Sequence, residues 1–177
     1  MKLFSYFTST WILLLAWTFN APGADAPKTF KVGEQTFTRP ANWEWVEPAS
    51  SMRKAQLKIA EAGKKESAEV VFFYFGEGNG GGTKANVERW LGQFQEPQNT
   101  KTEEISVGPK KVTCVQAEGT YLSGMPGGSR TPQPNSMLLG AILESPTGNV
   151  FIKITGPLSV VKPSKDTLRK LVEDALK

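Results

Sequence analysis

The chain has 177 residues, a net charge of +4, no histidine and one cysteine, Cys114. The missing histidine removes Ser-His-Asp and Cys-His catalysis together with every histidine-based metal site, and a lone thiol can form neither an intramolecular disulfide nor a two-thiol redox or metal centre. Lysines and arginines are scattered among carboxylates rather than gathered into the concentrated basic footprint that nucleic acid demands.

The first element is an export signal. Lys2 gives a short positive start, residues 11–19 are uncharged and apolar, and residues 20–26 are small and turn-prone. This is the tripartite secretory pattern. The polar residues Ser5, Thr8, Ser9 and Thr10 leave too short an apolar stretch for the ~20 residues that cross a bilayer. A signal at 1–26, cleaved at about 23–26, is therefore expected, leaving no stable membrane span and an exported chain, periplasmic or secreted. What remains is about 150 residues, the size of one ordinary domain.

Residues 27–34 read as a short disordered lead, followed by one domain over 35–177. Residues 35–38 and 43–46 read as strands bracketed by Pro40 and Pro48, because proline cannot donate to a ladder. Trp43 and Trp45 share one strand face, with core packing the simpler role. Ala55, Leu57 and Ile59 alternate with Lys54, Gln56 and Lys58, the period of a half-buried strand. After a polar turn at 62–67, residues 70–75 form a continuous apolar run, the signature of a strand covered on both faces. A glycine-rich segment, 76–82, leads to Thr83 as a helix cap. Val87, Trp90, Leu91 and Phe94 then make one helical stripe, closed by Glu96 and Pro97. Strands are expected at 104–107, 111–122, 137–144 and 150–155, with a long Gly/Pro-rich loop at 123–136 and a last amphipathic helix capped by Ser164. Strand runs separated from helices predict an α+β fold with a mostly antiparallel sheet and helices packed on it.

Three features touch on chemistry. Gly76-x-Gly78-x-x-Gly81 matches the dinucleotide fingerprint between a strand and a helix, but Glu77 places a negative charge where pyrophosphate would sit, and no further βα units follow. Free N–H groups at the helix start offer a place for a carboxylate or phosphate, against the plainer role of glycines in a tight connection. Glu77 or Glu88 with Arg89 would serve carboxylate chemistry only if a concave pocket gathered them. Asn86, Arg89 and Gln93 form a polar ridge beside the glycine loop.

Several segments together resemble a known family. They are Pro40-x-x-Trp43, Met52-Arg53, the stretch Gly80-Gly81-Gly82-x-x-Ala85-Asn86-Val87-x-Arg89-Trp90-x-x-Gln93-Phe94, Gly140-Ala141-Ile142, and Lys153-Ile154-Thr155-Gly156-Pro157. In these the chain is similar to uncharacterised exported bacterial proteins with a Mog1/PsbP-like domain. The resemblance spans most of 35–177 and implies an α/β/α sandwich around an antiparallel sheet, with protein binding or assembly as its use. The sequence thus leads to an exported, non-enzymatic binding or accessory module, with no catalytic residue, metal or cofactor and a protein of the cell envelope as partner. Its candidate surface is Gly80, Gly81, Gly82, Asn86, Arg89 and Gln93, joined by the 123–136 loop. The alternative is a small-ligand or anion-binding protein, or a carboxylate-based enzyme, using the glycine-rich loop at the helix N-terminus.

Overall fold

A computed structural model describes residues 26–60, 63, 65–124 and 128–177. The export signal expected at 1–26 lies outside the described residues except for Ala26, as do parts of the 62–67 turn and of the 123–136 loop.

The segment expected as a disordered lead is instead a strand. β1 (Thr29–Val32) pairs antiparallel with β2 (Gln35–Thr38) in a separate hairpin. Phe30 and Val32 alternate with exposed Thr29 and Lys31, so even four residues suffice to bury two apolar side chains. Seven more strands follow: β3 (Trp43–Val46), β4 (Arg53–Ala60), β5 (Ser67–Tyr74), β6 (Phe94–Val107), β7 (Lys110–Ser123), β8 (Thr131–Leu143) and β9 (Val150–Pro157). They form one sheet in the order β3-β4-β5-β9-β8-β7-β6, every pair antiparallel. The fold is thus α+β, built on a mostly antiparallel sheet. β5 lies inside the sheet between β4 and β9, with Val70 and Phe72 buried on one side and Val71 on the other. Antiparallel neighbours on both sides remove the dinucleotide-binding reading of the 76–81 glycines, which needs parallel βα units.

Helix α1 (Thr83–Leu91) is shorter than its stripe suggests. Gly82, not Thr83, takes the cap position, and Thr83 Oγ1 donates to Glu144 Oε1 at 2.7 Å. The helix stops at Gly92, and Phe94 is buried as the first residue of β6. Glu96 and Pro97 therefore do not close a helix. They lie in an edge strand broken by bulges at 95–98 and 98–101, where a missing N–H is tolerated. The expected 123–136 loop is largely strand as well. Pro132 and Pro134 sit where β8 has only β7 beside it, again an edge position.

The chain ends in α2 (Leu158–Val161), a 3-10 turn (Lys162–Ser164) and α3 (Lys165–Leu176). Ser164 takes the cap position of α3 as expected, but its hydroxyl caps no N–H; it donates to Val160 O at 3.2 Å, within a path that is already helical. Period-2 alternation sorts the core into two clusters. Met137, Leu139, Ala141 and Leu143 of β8 join the larger, with the hairpin, Trp43, Val160, Val161 and the α3 stripe Leu168, Leu171, Val172 and Leu176. Leu138 and Ile142 join the smaller, with Trp90, Phe94, Val115, Ala117 and Phe151. Gly140 belongs to the second side: a Cβ there would lie 2.3 Å from the Trp90 ring, so only glycine lets the indole rest on the strand.

Candidate functional site

α1 is nine residues long and cannot cover its side of a seven-stranded sheet. Beside it the sheet carries polar groups. Cross-strand registers set Gln56, Val71, Lys153 and Gly140 side by side, and Lys58, Glu69, Thr155 and Leu138 in the next row. Val71 is buried and forms an apolar floor. Lys153 rises next to the Gly140 notch that Trp90 fills.

Lys153 is half-buried, yet its ammonium meets only neutral oxygens: Nζ donates to Gln93 Oε1 at 2.6 Å and Tyr121 Oη at 2.9 Å. The same Nζ lies 5.1 Å from the Tyr121 ring centroid, where the π face is attractive to a cation. Burial is the main cause that lowers its pKa from the ordinary 10.5 to about 8; Glu69 opposes the fall, and Arg89 and Arg53 add to it. Glu69 is already engaged. Its Oε1 accepts from Arg53 at 2.5 Å and from Gln56 Nε2 at 3.0 Å, while Gln56 Oε1 accepts from the Ala49 N–H. Tyr121 has its hydroxyl pKa raised, chiefly by burial, so it stays a neutral partner for Lys153 at ordinary pH.

The residues expected at the surface divide here. Asn86 is buried rather than exposed, because its side chain holds the loop together: Nδ2 donates to Gly80 O at 2.9 Å and Gly82 O at 3.0 Å, and Oδ1 accepts from Arg89. Gly80 has φ +84°, and a Cβ there would strike Phe75 and Phe151 at 2.8 and 3.0 Å. Gly81 and Gly82 are exposed in the lead-in to α1. Arg89 is exposed, with Asn86 its hydrogen-bond partner and no carboxylate in ion-pair reach among the described residues. Gln93 is half-buried and turned to Lys153. The structure thus brings Asn86, Arg89 and Gln93 together with Lys153, Tyr121, Glu69 and Arg53, which sequence reasoning did not connect. The available signal was Lys153 itself, a cation within a strand otherwise apolar over 150–154.

Two expectations fare differently. Glu77 and Glu88 are exposed, and Glu88 faces Lys84 at 3.4 Å rather than Arg89. The hollow at the start of α1 is open and lined by Gly82, Thr83, Lys111, Glu144, Ser145 and Asn149; Glu144 puts the protein's own carboxylate against the helix start. A further cleft of about 70 Å³ lies between α3 and the β6–β7 edge, where Cys114 is half-buried and burial pushes its thiol pKa up. That side chain behaves as a small hydrophobe. Among the described residues, no helix is long and apolar enough to cross a membrane.

Comparison of the chain with models of known protein families and with curated proteins finds no match.

Proposed function

We propose that this chain is exported and works outside the cytoplasm as a non-enzymatic binding or assembly module, through contacts with another protein of the envelope. In this reading the domain is Mog1/PsbP-like and its layers form an α/β/α sandwich, with α1 on one face of the sheet and the hairpin, α2 and α3 on the other. The observation that carries the reading is the polar ground beside α1, where Lys153 and Arg89 have no carboxylate in ion-pair reach among the described residues and Glu69 is taken by Arg53 and Gln56. A folding unit gains nothing from a half-buried uncompensated cation, whereas a surface that meets a partner does.

The test is recovery of a partner from the native envelope with tagged full-length chain. A partner enriched with the unaltered protein and with Lys170→Gln on α3, but reduced at least tenfold with Arg89→Gln, supports the reading. Equal recovery with all three proteins sinks it. Export is checked separately: N-terminal sequencing of the mature protein should start within a few residues of Ala24.

A further inference from the structure

Resting on that reading, we infer that Lys153 and Arg89 form a receptor for paired carboxylates, and that the partner presents an acidic peptide segment to them. Arg89 stands four residues before Gln93, whose side chain holds the Lys153 ammonium. Gln93 follows directly on the end of α1, so the turn after the helix brings the two cations to the same ground, where the Arg89 charge acts on Lys153. Arg53, the third cation acting on Lys153, belongs to β4. β4 and β9 flank β5, which puts them about 10 Å apart. Arg53 is already paired with Glu69, so Lys153 and Arg89 remain as two separate positive charges, more than one carboxylate neutralises and suited to acidic side chains at neighbouring positions of a chain.

The donors are suited to that task. Arg89 spends one interaction on Asn86 Oδ1, which fixes the guanidinium against the loop and leaves its other N–H groups uncommitted among the described residues. A guanidinium so oriented can take a carboxylate through two parallel hydrogen bonds. Lys153 has three N–H donors and gives two of them to Gln93 and Tyr121, leaving one. Glu69, the carboxylate on this ground, is held by Arg53 and Gln56, which keeps it from collapsing onto Lys153 and filling the site. The groups facing Lys153 are thus Gln93 and Arg89 from the α1 side, Tyr121 from β7, Glu69 from β5 and Arg53 from β4. An added carboxylate would favour the charged amine and draw its pKa back toward 10.5.

The experiment is a titration of the full chain at pH 7 with a short peptide of alternating Glu and Gly, with sodium phosphate and sodium acetate in parallel. The Lys153 side-chain resonance is followed by NMR, assigned by its loss in Lys153→Arg. The inference expects saturable movement of that resonance with the peptide, a pKa raised by about one unit or more in its presence, and at least tenfold weaker binding for Arg89→Gln. Phosphate and acetate should shift it only weakly. A Lys153 resonance that ignores the peptide overturns the inference, as does movement by phosphate alone, or an Arg89→Gln variant that binds the peptide equally well. If the envelope partner is still lost with Arg89→Gln while the peptide leaves Lys153 unmoved, the acidic-segment inference falls and the protein-binding reading stands.

Discussion

Two side chains decide whether α1 can rest on the sheet. Trp90 needs the absence of a side chain at 140, so Gly140→Ala forces the indole or the strand to move; we expect a loss of about 1–3 kcal/mol in urea unfolding, the usual effect of overpacking. Asn86 ties two glycine carbonyls to the helix, and Asn86→Ala leaves them without these donors, at a cost of about 2 kcal/mol in the same assay. Lys153 sets a pH dependence. Its folded pKa, about 8, lies below the ordinary 10.5, so below pH 8 both states hold the proton and the folded state carries the full penalty of a buried charge. Between about 8 and 10.5 the unfolded state binds more protons than the folded one, and stability rises with pH. Lys153→Met removes this rise. Stability measured against pH for both proteins should show the difference narrowing from pH 8 to 10.5, and parallel curves would contradict it.

At the scale of elements, the hairpin shows how a short segment earns order. Phe30 and Phe37 stack at 5.6 Å between centroids, and both meet Phe72 edge-on at 5.0 and 5.1 Å. Phe37→Ala should therefore cost about 3–5 kcal/mol in chemical denaturation, although it lies outside the main sheet; a change under 1 kcal/mol would show that the hairpin is only loosely attached. The strands read at 35–38 and 43–46, the alternation at 54–59 and the apolar run at 70–75 were legible from residue pattern, although β4 and β5 extend over 53–60 and 67–74, and so was the stripe of α3. Where the reading failed, tertiary placement outweighed local signals. Phe94 continues the helical spacing of Val87 and Trp90, yet reaches the same cluster from the start of a strand. Pro97, Pro132 and Pro134 looked like breaks because sequence does not tell an edge strand from an inner one. The site was half legible: Arg89 and Gln93 were visible as a ridge, but their link to Lys153 spans 60 residues and exists only once β9 lies between β5 and β8.

Across the whole molecule, the two sides of the sheet are put to different uses. One carries the larger cluster, sealed by the hairpin, α2 and α3. The other is only partly covered by α1, with a small cluster under Trp90 and polar ground beyond it. In the proposed reading stability and binding are thereby separated, and variants in the polar ground should leave the fold standing: Arg89→Gln is expected to unfold within about 0.5 kcal/mol of the unaltered chain, the range of exposed substitutions. The most direct test of the central claim is photo-cross-linking in the native envelope from probes at Lys58 and Glu88 on the open side, compared with Lys31 and Lys170 on the sealed side. The account predicts one specific adduct from Lys58 and Glu88, abolished by Arg89→Gln, and none from Lys31 or Lys170. An adduct from the sealed side alone would contradict it.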